Sequence, residues 1–323
     1  MRTFAVLLFM AALLSAGARS EGPRYVIDDE QYVEKVTKAS ARLLKAGKLK
    51  AVGSLRAEVR NGSLPVKLAL ESHEKLAPPD LADRLRESTL AVGTYYKCPD
   101  CGEWHFNSSA GFVVGEGGII CTCCHVVCAE DEGVKEGYLV AADEAGHVFP
   151  VESVLAADTE SDTCLVKINA AGLKPLPLRT GVRVGERIYC LSHPGGYYFM
   201  FTQGMVARLN RKRNEVLDEH GPTNGVFTRP ILFLNVTAEF APGSSGAAIA
   251  DEAGNVVGQV ASIADAGEPE VGSTNAPPSP SVPIRFCTAT EELLRLMQPH
   301  VLAARPSRNA TSPPVRSRLH SPH

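Results

Sequence analysis

The sequence predicts an all-β protein, arranged as a sandwich or a pair of barrels, with helices only near its two ends. Ten short apolar runs separated by glycine-containing turns follow one another through the middle of the chain, a spacing typical of such folds. Apolar residues recur at helical spacing in 28–48, 78–86 and 289–298. The strand-like runs are 89–96, 111–114, 118–122, 138–142, 163–168, 187–192, 204–209, 231–237, 247–250 and 256–263.

The composition is that of a globular protein with a substantial core. Of the 323 residues, 44% are hydrophobic and 21% are charged, and the net charge is −3. Because the chain has no basic excess, we expect neither a nucleic acid nor an anionic membrane as its partner. No segment after the first 20 residues is long and apolar enough to span a bilayer.

The two ends of the chain differ from its middle. Residues 1–20 have the parts of a secretory signal peptide, with Arg2 before an apolar stretch and small residues at a cleavage site, so we expect a secreted or periplasmic protein. Residues 21–88 are predicted to form a helical N-terminal extension, whose role as a pro-segment, oligomer contact or regulatory arm stays open. The composition of 262–283 predicts a loop, and that of 299–323 predicts a disordered tail.

One turn between two β-type runs can present a nucleophile. Ser245 lies among small residues in the sequence Ala-Pro-Gly-Ser-Ser-Gly-Ala-Ala at 241–248. Glycine permits positive φ and close backbone approach, so this turn can place a hydroxyl beside backbone N–H donors. Most Gly-Ser turns are only turns, and the interpretation therefore depends on a base and an acid elsewhere in the chain.

His125 and Asp162 are the candidate base and acid. His125 is interpreted as lying at the end of a strand, where an imidazole can lean into a cleft, although a lone histidine is more often structural. Asp162 stands directly before the apolar run 163–168, where a carboxylate needs a partner because an unpaired buried charge is costly. Asp158 and Glu160 lie farther from that run and are interpreted as a solvated turn.

In their order along the chain, His125, Asp162 and Ser245 resemble the triad of the trypsin-like serine peptidases, in particular the HtrA/Deg branch. The resemblance covers about residues 85–298. It implies a peptidase domain over 89–298 built from two packed antiparallel β-barrels, preceded by the helical extension and closed by one helix. The matching segments are Gly-Phe-Val-Val at 111–114, Asp-Thr-Cys-Leu-Val-Lys-Ile at 162–168, Ser-His-Pro-Gly-Gly at 192–196 and Pro-Gly-Ser-Ser-Gly-Ala-Ala-Ile at 242–249.

The resemblance implies acyl transfer without a cofactor. Ser245 would attack a peptide carbonyl, His125 would take and return the proton, and Asp162 would hold the imidazole. The N–H groups of Gly243 and Ser245 would form the oxyanion hole. We therefore expect an exported serine endopeptidase acting on proteins or peptides, with a catalytically silent binding or scaffold protein on the same fold as the alternative.

Two positions near the nucleophile bear on activation and specificity. Ser244 stands where many digestive trypsin-like enzymes carry an Asp that pairs with a newly cut N-terminus, so we do not expect activation by such a cut. Glu239 lies six residues before Ser245, at the floor of the P1 pocket in the family. An acid there favours Arg or Lys at P1, but a solvated or differently paired Glu239 is also open.

Two further features bear on access to the site. The aromatic run Tyr-Tyr-Phe-Met-Phe at 197–201 fits either a core or strand-edge role or a loop that adjusts access. No PDZ-like domain follows the peptidase region, so docking of substrate C-termini through one is not expected.

Two interpretations compete for the nine cysteines. Export favours disulfides, whereas the spacing of two Cys-x-x-Cys pairs approaches that of a zinc ribbon. Residues 121–124 look like a strand whose first and last side chains point to opposite faces, so no metal is expected. The cysteines expected in disulfides are Cys98, Cys101, Cys123 and Cys128. Those expected as small buried side chains are Cys124, Cys164 and Cys190. A zinc ribbon would instead use Cys98, Cys101, Cys121 and Cys124.

Overall fold

The computed structural model describes residues 25–59, 62–128, 134–170, 172–213, 215–218, 221–227, 229–266 and 282–297. These residues form five α-helices and fourteen β-strands. The helices are α1 (Asp29–Lys45), α2 (Val52–Arg56), α3 (Pro78–Arg86), α4 (Cys124–Cys128) and α5 (Thr290–Met297). The strands are β1 (Thr89–Lys97), β2 (Trp104–Gly115), β3 (Ile119–Cys123), β4 (Gly137–Ala142), β5 (Val148–Asp158), β6 (Thr163–Ile168), β7 (Arg187–Ser192), β8 (Met200–Lys212), β9 (Glu215–Asp218), β10 (Gly221–Phe227), β11 (Ile231–Val236), β12 (Ala248–Ala250), β13 (Val256–Ala266) and β14 (Val282–Ala289).

Twelve of the strands close into two six-stranded antiparallel barrels. The first has the order β1-β2-β3-β6-β5-β4 and the second the order β11-β14-β13-β12-β7-β8, while β9 and β10 pair with each other. Closure leaves a barrel without free edges, and alternate residues of each strand point into its interior. The prediction of two packed antiparallel β-barrels with a helix at the C-terminal end is confirmed.

Three apolar clusters hold this arrangement together. One fills the first barrel around Val113 and Val166, and another fills the second barrel around Leu234 and Val257. The third joins side chains of both barrels to those of the N-terminal helices and α5, and it includes Tyr32, Leu81, Phe112, Tyr189 and Leu293. Each large apolar side chain of these clusters stabilises the fold by about 1.5–3 kcal/mol through burial.

Helix α1 packs on the loop that joins β7 to β8. The Tyr32 ring lies 4.4 Å from that of Tyr198 and 5.7 Å from that of Phe199, measured between centroids. The Asp29 carboxylate accepts a hydrogen bond of 3.0 Å from the backbone N–H of Tyr198. The helical extension therefore contacts the second barrel directly.

Several elements differ from those that the sequence predicts. Strand β5 was not expected, because its apolar residues are interrupted by Pro150 and Glu152. The predicted loop over 262–283 is wrong at both ends, since β13 continues to Ala266 and pairs there with Val282 of β14. The predicted signal peptide and C-terminal tail lie outside the described residues. Among the described residues, none of the helices has the length and apolar character that a membrane crossing requires.

Candidate active site

His125 lies in the single-turn helix α4 and not at the end of a strand as the sequence suggested. Strand β3 ends at Cys123, and the next N–H, that of Cys124, donates to the backbone oxygen of Asp162 at 3.1 Å. This contact turns the chain out of the barrel wall. As a result, the His125 side chain is 47% exposed, and a substrate can reach it.

Asp162 holds His125 through both oxygens of its carboxylate. Oδ1 accepts the backbone N–H of His125 at 2.8 Å, and Oδ2 lies 2.6 Å from the ring Nδ1. The pair fixes the ring orientation and places the proton on Nδ1, which leaves Nε2 as the acceptor. The hydrogen bond with Asp162 raises the pKa of His125 above its ordinary value of 6.5, while burial opposes the shift.

The turn that carries Asp162 is strained and is held by the second barrel. Asp162 has a φ of 54°, a left-handed conformation that costs a non-glycine residue about 1–3 kcal/mol. The preceding residue, Ser161, is buried, and its backbone oxygen accepts a hydrogen bond of 3.0 Å from Thr288 Oγ1 of β14. Strain that is maintained by surrounding contacts is typical of functional sites.

The neighbouring acids are ion-paired, and the expectation of a solvated turn is wrong for them. The Arg229 guanidinium pairs with Asp158 and with the buried Glu292, and its Nε lies 3.3 Å from Glu160. Asp158 also accepts the backbone N–H of Glu160 at 3.0 Å. These acids therefore stabilise the outside of the turn, and among them Asp162 is the one that faces His125.

The Ser245 turn reaches across to the first barrel. The backbone oxygen of Ser245 accepts a hydrogen bond of 2.9 Å from Ala110 N–H of β2. A Cβ placed on Gly246 would lie 3.1 Å from the backbone nitrogen of Cys123, two residues before His125. Ser245 is partly exposed. The structure thus brings the predicted nucleophile and the His125–Asp162 pair to the same junction between the barrels.

The backbone around Ser245 offers two N–H groups to a ligand. Gly243 and Gly246 have φ values of 95° and 87°, which L side chains rarely adopt. Among the described residues, neither Gly243 N–H nor Ser245 N–H has an acceptor. N–H groups without an acceptor beside a nucleophile can bind a developing oxyanion.

Sequence reasoning did not assign a role to His193, which supports this turn. The backbone oxygen of His193 would lie 2.5 Å from a Cβ on Gly243, so the two backbones are in close contact. His193 is fully buried, and its Nδ1 accepts the backbone N–H of Phe199 at 3.0 Å. Burial lowers the pKa of His193 to about 4, and the imidazole is neutral. Its only signal in the sequence is the segment at 192–196 that resembles a family loop.

The aromatic run at 197–201 has the core role that the sequence left open. Tyr198 and Phe199 are buried, and their rings lie 5.4 Å and 4.7 Å from that of His193, measured between centroids. Tyr197 is exposed. The run therefore links helix α1 to the turn behind Ser245.

Comparison with known proteins agrees with this geometry. A family model described as "Trypsin-like peptidase domain" matches residues 109–258, a segment that contains His125, Asp162 and Ser245. This segment is similar to that family of peptidase domains. The match covers just under half of the chain.

Relatives of the peptidase domain carry names of HtrA-type proteases. Serine endoprotease DegS of Haemophilus influenzae is 26% identical over 154 residues, which are 47% of this chain and 40% of that protein. Protease Do-like 1, chloroplastic, of Arabidopsis thaliana is 26% identical over 156 residues, 47% of this chain and 32% of that protein. Serine protease HTRA2, mitochondrial, of Drosophila persimilis is 25% identical over 154 residues, 47% of this chain and 33% of that protein. The chain spans about a third of the length of the first relatives it matches.

All nine cysteines are free, so the structure contains none of the expected disulfides. Cys123 is buried against β13, where its sulfur donates to the Val260 oxygen and accepts from Gln259 Nε2, both at 3.1 Å. Cys128 and Cys124 lie one helical turn apart with 3.8 Å between their sulfurs. Cys124, Cys164 and Cys190 are buried, as the sequence predicts.

The cysteines do not form the zinc ribbon that the spacing suggested. Cys98 and Cys101 lie in the turn between β1 and β2, whereas Cys121 is buried between the barrels, where its sulfur donates to Gln259 Oε1 of β13 at 3.0 Å. Cys123 lies within 4.8 Å of the ligand atoms of His125 and Asp162. Burial raises the pKa of the Cys123 thiol, so in this structure the thiol is protonated and donates to the Val260 oxygen.

Glu239 is exposed in the segment between β11 and the Ser245 turn. Its backbone oxygen accepts a hydrogen bond of 2.9 Å from Thr202 Oγ1 of β8. Among the described residues its carboxylate has no ion-pair partner. The carboxylate is therefore available to a charged group from outside.

Proposed function

We propose that the peptidase domain is a serine endopeptidase in which Ser245 is the nucleophile, His125 the general base and acid, and Asp162 the orienting carboxylate. The observation that carries the proposal is the two-point contact between Asp162 and His125. This contact leaves Nε2 on the side of the ring away from the Asp162 carboxylate. The pair lies at the barrel junction that the Ser245 turn also contacts. Asp143 makes the same two-point contact with His147, so the assignment of His125 depends also on its position at the barrel junction and on the strained turn that carries Asp162.

In the proposed reaction, Ser245 Oγ forms a bond to the carbonyl carbon of a peptide and gives its proton to His125 Nε2. The imidazolium is stabilised by Asp162 and then transfers the proton to the leaving amine. Water attacks the acyl-enzyme in the same way, with His125 again taking and returning a proton. The N–H groups of Gly243 and Ser245 bind the oxyanion, and each such donor is worth about 10²–10³ in turnover.

The test is labelling by a fluorophosphonate probe, which reacts with activated serines. Wild-type protein should be labelled at one site, and Ser245→Ala should abolish the label. Ser244→Ala is the matched control, because Ser244 is fully buried and its hydroxyl has no partner among the described residues. A mature, folded protein that is never labelled would contradict this proposal and favour the alternative, a silent binding or scaffold protein on this fold.

We propose that Glu239 favours Arg or Lys at P1. Its exposed, unpaired carboxylate and its position shortly before the Ser245 turn support this assignment. An exposed ion pair contributes about 0.2–1 kcal/mol, so Glu239→Gln should reduce the preference for Arg over Leu by up to about fivefold. Fluorogenic peptides that differ only at P1 measure this ratio, and equal ratios in both proteins would remove Glu239 from the site.

We propose that the protein is exported and that residues 1–20 are removed. The support is the signal-like composition of these residues. N-terminal sequencing of the protein secreted by its own host is the direct test. An N-terminus near residue 21 is expected, and a cell-retained protein that still starts at Met1 would contradict export.

A further inference from the structure

The turn between β1 and β2 brings together three side chains that bind metals. Cys98 and Cys101 lie in the turn, and His105 follows on β2. Their sulfur and nitrogen atoms all lie within 4.8 Å of one another. The Cys101 sulfur is 3.0 Å from His105 Nε2.

The register of the hairpin places these donors on one side. Tyr96 pairs with His105, and the N–H of Cys98 donates to the Glu103 oxygen at 2.8 Å. Cys98 therefore shares the face of His105, because side chains two residues apart on a strand point the same way. Gly102, with a φ of 72°, closes the turn and donates its N–H to the Cys98 oxygen at 3.0 Å.

Aromatic packing restricts the hairpin beside the three donors. At the base of the turn, the Trp104 ring stacks on Tyr95 with 4.6 Å between centroids. This contact restricts the hairpin before any ligand binds, which lowers the entropy lost on binding.

We propose that Cys98, Cys101 and His105 form a zinc-binding site at the tip of this hairpin. Thiolate and imidazole donors suit zinc and disfavour hard cations such as magnesium and calcium. Tetrahedral zinc at its usual bond lengths keeps sulfur and nitrogen donors about 3.5–3.8 Å apart, so the three groups need only small shifts. Because the described residues supply three donors, water or a small ligand takes the fourth position.

The site is separate from the proposed catalytic centre. Ala110, which binds the Ser245 turn, lies five residues beyond His105 on the same strand, and five strand residues span about 17 Å. Zinc binding and fluorophosphonate labelling therefore report on different parts of the molecule. Loss of zinc in a variant that is still labelled by the probe tests the metal site alone.

The competing chemistry is oxidation of the two thiols to a disulfide. Such a bond would remove both sulfur donors and release the Cys101 contact with His105. The experiment therefore starts from full-length protein purified with and without reductant, and its readout is the zinc content by mass spectrometry and the affinity by competition with a chromophoric chelator. A Cys98–Cys101 disulfide in metal-free protein that takes up no zinc after reduction would overturn the proposal.

The expected result is one zinc ion per reduced chain. Cys98→Ser, Cys101→Ser and His105→Asn should each weaken zinc binding by more than about 100-fold, since even outer-shell changes cost about 10–100-fold. Cobalt(II) should give a thiolate charge-transfer band that Cys98→Ser weakens, because only the Cys101 thiolate remains as a sulfur ligand. Circular dichroism checks that each variant is folded.

Two control variants complete the design. Cys128→Ser removes a thiol that lies in α4, and His147→Asn removes an exposed imidazole that pairs with Asp143 at 2.8 Å. Both should bind zinc as the wild type does. Equal loss in the controls, or unchanged affinity in Cys98→Ser, would refute the assignment.

Discussion

Gly246→Ala tests whether the close contact between the two barrels at Gly246 is needed for the candidate active site. An alanine Cβ would lie 2.2 Å from the Ala110 oxygen and 2.6 Å from Thr122 Oγ1. The nearer atom belongs to the backbone of a closed barrel and cannot rotate away. The left-handed φ of 87° adds about 1–3 kcal/mol and the overpacking a further 1–3 kcal/mol, so the free energy of unfolding should fall by about 2–6 kcal/mol.

Gly117→Ala is the matched control for this prediction. Gly117 also has a positive φ, 75°, but a Cβ there would have no atom within 4 Å. Urea denaturation should give Gly117→Ala the conformational cost alone, with full fluorophosphonate labelling. Gly246→Ala should be destabilised by about 1–3 kcal/mol more and should lose its label. Equal unfolding midpoints, together with full labelling of Gly246→Ala, would refute the argument that this glycine sets the contact between the barrels.

Three further predictions follow from the same geometry. Asp162→Asn should lower kcat/KM for a peptide by about 10⁴. In the wild type the acidic limb of kcat/KM should lie above pH 6.5, because the hydrogen bond with Asp162 raises the pKa of His125. The residual activity of the variant should show that limb at lower pH. Unfolding at several pH values should show stability falling by up to about 3 kcal/mol from pH 6.5 to about 4, since only the unfolded state protonates His193 there. His193→Gln should flatten this slope, and an unchanged slope would contradict the burial argument; the raised pKa of His125 makes stability change with pH only above pH 6.5, outside this range. Tyr32→Ala should destabilise the protein by about 3–5 kcal/mol by removing its contact with Tyr198, and a loss below 1 kcal/mol in thermal unfolding would show that helix α1 is only loosely attached.

Most of the fold could be predicted because the strands alternate and are separated by glycine turns. Strands β6 and β7 begin and end where the apolar runs do. Strand β5 was not predicted because Glu152 breaks its apolar pattern. A barrel strand can carry a charged residue where one of its faces meets solvent. The start of α4 could not be predicted. Strand β3 ends where the Cys124 N–H donates to the backbone oxygen of Asp162, which lies 38 residues farther along the chain.

The sequence predicted the three candidate site residues and their order along the chain, but not the residues that hold them in place. His125 and Asp162 stand out because an acid and a histidine flank apolar runs. Thr288 and His193 carry no such signal, since their roles depend on contacts with Ser161 and Gly243 that only the packed barrels create. The same holds for the cysteines: the expected export favoured disulfides, but the fold places most of them on different elements, and all nine are free.

The hydrogen bond between Asp29 and Tyr198 joins residues 169 positions apart. At a synthesis rate of about 5–20 residues per second, roughly 10–30 s separate the appearance of the two partners during translation. Helix α1 is made first and waits throughout this interval for the surface on which it packs. Among the described helices α1 is thus made first but cannot make this contact until residue 198 has been added, and the Ser245 turn follows 47 residues later.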